Sequence, residues 1–242
     1  MRKSAIFIGL TTLLVACDKH DPILPGIRDD IFAKTSLNVL NTNVPDVPES
    51  IDNANITDCP YTQKSDNTLW DGSRKIFAGF ATNNSVAGDK VPVCRGNFVY
   101  AGLSTGELVK VNAKTRSITW ITDVYRASNM TGGASVLDII APAQIRGNYV
   151  YAGGLGDAFC KISDATGKTV WCINISVAKP FLAADKVAYV LDTDNNLNAV
   201  RLSDGAVYWR TEVEKPRTPK YQDKTIIVGH ETFDAETGKI LE

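Results

Sequence analysis

This 242-residue chain has only two histidines and two methionines, and its acidic and basic residues nearly balance, at a net charge of −1. With His20 close to the N-terminus, His230 leaves almost no material for a Ser-His-Asp triad or a zinc site. No Cys-x-x-Cys-His haem attachment occurs, nor any adjacent cysteine pair. Balanced charge gives no electrostatic footprint for nucleic acid. Past residue 16 no apolar stretch approaches the ~18 residues of a membrane span. No segment holds a 3.6-residue apolar stripe over three turns. Gly153-Gly-Leu-Gly156 lacks the Lys-Ser/Thr of a phosphate loop and lies between strand-like runs, so it reads as turn chemistry. Asp192-x-Asp194-x-Asn196 has the spacing that opens a calcium loop, but Leu197 stands where such a loop needs glycine and Ser203 where it needs glutamate. A polar hairpin tip is the expectation there. The absences point away from enzymes, metals and cofactors.

The N-terminus carries an address. Arg2 and Lys3 precede a short apolar stretch from Ala5 to Ala16, the layout of a secretory signal. It ends in Leu14-Val15-Ala16-Cys17, which resembles the bacterial lipobox. That resemblance implies cleavage before Cys17 and lipidation of the cysteine, anchoring the chain by acyl groups. The expected organisation is a signal peptide over 1–16, a lipidated cysteine and polar tether over 17–60, and a repeat domain over 61–242. The tether holds Pro22, Pro25, Pro45 and Pro48 and no sustained apolar period. Composition alone leaves open whether it hangs free or wraps the domain.

From residue 91 the chain repeats. Arg95-Gly-Asn-Phe-Val-Tyr-Ala-Gly102 recurs as Arg146-Gly-Asn-Tyr-Val-Tyr-Ala-Gly153, and more weakly as Asp185-Lys-Val-Ala-Tyr-Val190. Tyr100 to Trp120, Tyr151 to Trp171 and Tyr189 to Trp209 each span 20 residues. Pro92, Pro142, Pro180 and Pro219 open the units. Within each, short β-rich runs are closed by Thr105-Gly106, Gly156-Asp157 or Asp194-Asn195, residue types that accept the positive φ of tight turns. Along the next strand Leu108, Lys110 and Asn112 alternate with Val109 and Val111. The prediction is an all-β chain of four-stranded antiparallel blades, a partial β-propeller with three good units and a damaged fourth. A blade cannot bury both faces alone, so Trp120, Trp171 and Trp209 are expected to fill the wedges between stacked blades and to satisfy their indole N–H groups.

Export would place the remaining cysteines in an oxidising compartment. Cys160 and Cys172 flank the Asp164-Ala-Thr-Gly-Lys168 turn at an even separation of 12 and can face one another across a hairpin; Cys59 is then left for Cys94. Four buried free thiols are the alternative.

Asp164-Ala-Thr-Gly-Lys-Thr-Val-Trp171 and the strand before it resemble the pyrroloquinoline-quinone-type propeller repeat. With the lipoprotein start, the chain resembles the BamB family of outer-membrane assembly lipoproteins, and Leu24-Pro-Gly-Ile-Arg28 and Asn53-Ala54 with Cys59-Pro60 resemble its alphaproteobacterial branch. That family has about eight blades, more than this chain supplies, and Glu242 stands in the tryptophan position of the damaged unit. The resemblance implies a non-enzymatic scaffold at the periplasmic face of the outer membrane. Its implied partners are a BamA-like assembly barrel with its periplasmic domains, and unfolded outer-membrane proteins; no cofactor and no nucleic acid are implied. Asp18, directly after the lipid cysteine, raises the inner membrane as the alternative address. The competing functions are a fragment of a quinone-dependent dehydrogenase and an envelope lipoprotein that binds peptide or polysaccharide.

Overall fold

The computed structural model describes residues 37–51, 59–82, 90–125 and 136–241. The chain divides into Met1–Ile31, wholly outside the described residues, and Phe32–Glu242, to which all that follows refers. The signal segment, Cys17 and Asp18 therefore lie outside the described residues.

Five antiparallel sheets follow one another in chain order. The first joins β1 (Thr62–Gln63), β2 (Thr68–Asp71) and β3 (Arg74–Ala78), and the second β4 (Val93–Arg95), β5 (Phe98–Gly102), β6 (Glu107–Asn112) and β7 (Ser117–Asp123). The third joins β8 (Gln144–Arg146), β9 (Tyr149–Gly154), β10 (Ala158–Ser163) and β11 (Thr169–Ile173), and the fourth β12 (Leu182–Ala183), β13 (Val187–Leu191), β14 (Asn196–Arg201) and β15 (Val207–Glu212). The fifth holds β16 (Lys220–Gln222), β17 (Thr225–Val228) and β18 (Glu231–Asp234). Gly106, Asp157 and Asn195 turn the middle hairpins with φ of 84°, 52° and 65°, as their residue types allow.

An apolar layer fills each junction between successive sheets. Leu69 and Phe77 meet Val99 and Val109; Tyr100 and Trp120 meet Val150 and Ile162; Tyr151 and Phe159 meet Val190 and Leu202; Tyr189 and Trp209 meet Ile226 and Phe233. Strands β6, β10 and β14 are consequently buried on both faces, although Lys110 alternates with valines along β6. Stacked blades of a partial β-propeller have this arrangement.

The count of units differs from the sequence repeat. A further sheet, β1–β3, precedes the three full units, and the damaged unit is the fifth. The first sheet breaks the pattern by inversion. Trp70 pairs with Lys75 across β2 and β3, whereas Lys110 pairs with Trp120 across β6 and β7, so the tryptophan and the lysine have changed strands. In the fifth sheet, three-stranded among the described residues, Ile240 forms an isolated antiparallel bridge with Phe233 on the edge of β18.

Residues 37–51, placed by composition in the tether, lie along the fourth and fifth sheets. Val39 pairs in parallel with Val207 on the outer edge of β15, Thr42 N–H donates to the Tyr208 carbonyl at 2.9 Å, and Val44 N–H donates to the Glu236 carbonyl at 2.9 Å. Val44 is buried, and ion pairs Lys186–Asp46 and Lys224–Glu49 flank it.

Candidate functional site

Each unit's tryptophan closes one junction. Trp120 on β7 covers Gly167 of the third sheet, Trp171 covers Gly205 of the fourth, and Trp209 covers Gly238 of the fifth; a Cβ on these glycines would lie 2.7, 3.1 and 2.5 Å from the facing indole. The tyrosine 20 residues upstream packs on the same ring, with centroids 6.1, 6.2 and 5.9 Å apart. Trp120 donates its indole N–H to the Asp164 carbonyl at 2.9 Å. Trp171 and Trp209 depart from expectation, since their buried indole nitrogens have no partner among the described residues. At the third junction the equivalent carbonyl, that of Leu202, accepts from Lys161 Nζ, just as that of Asp164 also accepts from Lys110 Nζ; at the fourth, that of Ala235 accepts from the Tyr189 hydroxyl.

The densest polar cluster lies between the second and third sheets, on the Asp164-Ala-Thr-Gly turn. Asp164 Oδ1 accepts from the Tyr100 hydroxyl at 2.6 Å and from Lys110 Nζ at 2.9 Å, and Oδ2 accepts from the Arg95 guanidinium. Burial pushes the Asp164 carboxyl up, but the Tyr100 and Lys110 hydrogen bonds and the Arg95 charge outweigh it and hold it below the usual carboxylate range. Lys110 reaches the buried site because β6 is covered on both faces. The signal for this cluster was present in sequence: a lysine ten residues before the tryptophan in two units, Lys110 with Trp120 and Lys161 with Trp171.

Other buried charges sit at similar places. Lys90 pairs with Asp138, and burial draws the lysine below its ordinary value against the pull of that carboxylate. Asp192, first residue of the calcium-like run, accepts from Asn198 Nδ2 at 3.1 Å, from Arg210 at 2.9 Å and from the Asn196 amide at 2.7 Å in the hairpin between β13 and β14. Among the described residues no group of three or more His, Cys, Asp or Glu side chains is arranged to hold a metal ion, and no helix is long and apolar enough to cross a membrane. Cys160 and Cys172, directly opposed on β10 and β11, are joined, as are Cys59 and Cys94, the latter tying the chain before β1 to β4.

Comparison with known proteins adds the family. Residues 48–240 match the family described as outer membrane protein assembly factor BamB. The chain belongs to the BamB family. A BamB from Kangiella koreensis is 21% identical over 150 residues, which cover 61% of this chain and 39% of that protein. BamB from Moraxella catarrhalis, a solved structure, aligns over 75% of this chain and 60% of its own at 18% identity with a TM-score of 0.53. The computationally designed Ika8 protein aligns over 74% of this chain and 53% of its own at 11% identity and a TM-score of 0.51. These two likenesses show the fold. The match to the curated relative spans about two-fifths of that relative's length.

In this BamB-family chain the outermost strands face outward differently. β15 has Val39 on its far edge, whereas the far edge of β7 pairs with nothing among the described residues. Ile118 and Ile121 on β7 are 52% and 44% exposed.

Proposed function

We propose that this chain is a non-enzymatic scaffold lipoprotein, anchored through Cys17 at the periplasmic face of the outer membrane, that assists the assembly and insertion of β-barrel proteins there. The family match over residues 48–240 carries the reading. Two features support it. The Lys110–Asp164, Lys90–Asp138 and Arg210–Asp192 pairs hold neighbouring strands and sheets to one another, which suits a rigid platform. The open β7 edge, with Ile118 and Ile121 exposed beside it, offers backbone groups to which an extended segment can add as a further strand. The partners are a BamA-like assembly barrel with its periplasmic domains, and unfolded outer-membrane proteins.

A photo-crosslinker at Ile118 or Ile121, in cells expressing the chain natively, should trap the assembly barrel or its clients. One at Gln222, on β16 of the fifth sheet at the other end of the stack, should not. Purification without the barrel, and no crosslink at either isoleucine, would overturn the reading. Fractionation should find the protein with outer-membrane markers; recovery only with inner-membrane markers would assign the address to the alternative that Asp18 raises.

A further inference from the structure

The Asp164 cluster has a counterpart one junction further along, and there the acid is missing. Arg95, Tyr100 and Lys110 of the second sheet recur as Arg146, Tyr151 and Lys161 of the third, in the same repeat positions. The surroundings match as well. Lys110 Nζ lies 4.3 Å from the Phe98 ring centre and Lys161 Nζ lies 4.0 Å from that of Tyr149, the equivalent residue. Both lysines pair with the tryptophan of their sheet and donate at 2.9 Å to the equivalent backbone carbonyl of the next one, Asp164 or Leu202. The side chains at those two positions differ: where the third sheet supplies the Asp164 carboxylate, the fourth supplies leucine. In the following junction the trio itself has gone, with Ala184 and Ala199 in the arginine and lysine positions and the Tyr189 hydroxyl bound to the Ala235 carbonyl.

Lys161 is therefore a lysine only 9% exposed with no ion pair among the described residues. Its one protein acceptor among the described residues is the Leu202 carbonyl, which leaves two ammonium protons without a partner among them. Burial alone draws it below the ordinary lysine range. The Tyr151 hydroxyl also has no protein partner among the described residues, and burial pushes it up to about 12. Both groups line a cavity of about 520 Å³ with Arg146, Tyr149 and Tyr208. Of the other cations in that wall, Arg201 holds Asp204 through two hydrogen bonds of 2.8 and 2.6 Å, Lys186 pairs with Asp46, and Arg146 Nε donates to the Ala183 carbonyl at 2.9 Å.

We propose that the cavity between the third and fourth sheets is a binding site for a single carboxylate presented by another polypeptide, held by Lys161 and Tyr151 as Lys110 and Tyr100 hold Asp164. The chain thus contains its own template for the complex. One carboxylate oxygen takes the ammonium and the phenol, as Asp164 Oδ1 does in the template. A carboxylate fits the template better than phosphate, because the template is filled by a monoanion with two oxygens. The site stands independently of the assembly role proposed above.

The test uses the purified full chain with ¹⁵N-labelled tryptophan, whose four indoles give separate reporters. Trp171 packs on Tyr151 and reports the site, while Trp70 in the first sheet is the internal control. Acetate at millimolar concentration should shift the Trp171 indole saturably and leave Trp70 in place. A capped tripeptide with a central aspartate and a tripeptide with a free C-terminus distinguish a side-chain from a chain-terminal source; a fully capped neutral peptide should do nothing. Lys161→Met should weaken half-saturation about tenfold or more, the loss expected for one charge-assisted hydrogen bond. It should also melt no lower than the parent, since it removes an uncompensated buried charge. Leu202→Asp should fill the site from within and abolish the response. Where that variant fails to fold, Lys161→Met decides alone. No saturable shift with any carboxylate, an undiminished response in Lys161→Met, or a stronger response to inorganic phosphate would each overturn the proposal.

Discussion

Replacing Gly167 by alanine should break the second junction, by an amount the chain can calibrate internally. Gly167 has φ of +71°, and a Cβ there would sit 2.7 Å from Cγ, 2.8 Å from Cβ and 2.9 Å from Cδ2 of Trp120. The ring has no easy retreat. Its N–H is bound to the Asp164 carbonyl, and the Thr122 hydroxyl, on the same strand, donates to the Gly167 carbonyl. Left-handed strain costs an alanine about 1–2 kcal/mol, and forcing a methyl into a filled contact about 1–3 kcal/mol more. Gly96 separates the two terms: its φ is +59°, but an added Cβ meets nothing within 4 Å. Gly96→Ala should therefore cost only the strain, and Gly167→Ala should exceed it by about 1–3 kcal/mol. At ~2–4 °C per kcal/mol for a domain of this size, the melting gap is roughly 2–12 °C, read by far-ultraviolet circular dichroism. In a Trp120→Ala background the excess should vanish, because the partner of the clash has gone. Equal melting temperatures for Gly167→Ala and Gly96→Ala would refute the interlock.

Asp164→Ala should destabilise by about 3–5 kcal/mol in urea unfolding, because it strands Lys110 in a buried position; Asp164→Leu with Lys110→Met should recover much of that loss. Because the folded Asp164 carboxyl lies below its unfolded value near ~3.9, its contribution is fully present above that value and is lost as pH falls through the folded one. The stability gap between the parent and Asp164→Asn should accordingly close on acidification, and a gap independent of pH would contradict the cluster. Non-reducing peptide mapping of exported protein should yield Cys59 linked to Cys94 and Cys160 linked to Cys172, whereas four alkylatable thiols in the unfolded, unreduced chain would refute both. Val44→Asp places an unpaired charge where the side chain is 2% exposed and should release the 37–51 segment, read as loss of hydrogen-exchange protection at the Leu40, Thr42 and Val44 amides.

Much of the fold was legible because the junction chemistry repeats at fixed spacing. Tyr100–Trp120, Tyr151–Trp171 and Tyr189–Trp209 are contacts within single sheets, so their spacing of 20 survives insertions elsewhere. The first sheet was not legible because its tryptophan and lysine are exchanged, Trp70 standing opposite Lys75, which removes the marker. The second copy of the carboxylate-holding trio was hidden for another reason. Lys110 and Lys161 look like the polar face of a half-exposed strand, and only stacking, which covers both faces, turns them into buried cations that need partners. The course of residues 37–51 could not be read either. Val39 and Val44 are isolated among prolines, asparagines and acids, and nothing local says that they meet Val207 and the fifth sheet.

The parallel pairing of that segment with β15 has a mechanical side. Val207 N–H donates to the Asn38 carbonyl, Leu40 N–H to the Val207 carbonyl and Thr42 N–H to the Tyr208 carbonyl, at 2.9, 2.8 and 2.9 Å, side by side along one line. Tension applied along the segment from its N-terminal end loads these bonds together, in shear, rather than peeling them one after another. A pull perpendicular to the sheet edge meets them singly and opens them like a zip. The attachment is therefore strong in one direction and weak in the other, and the direction of the load decides whether the outer edge of β15 stays covered.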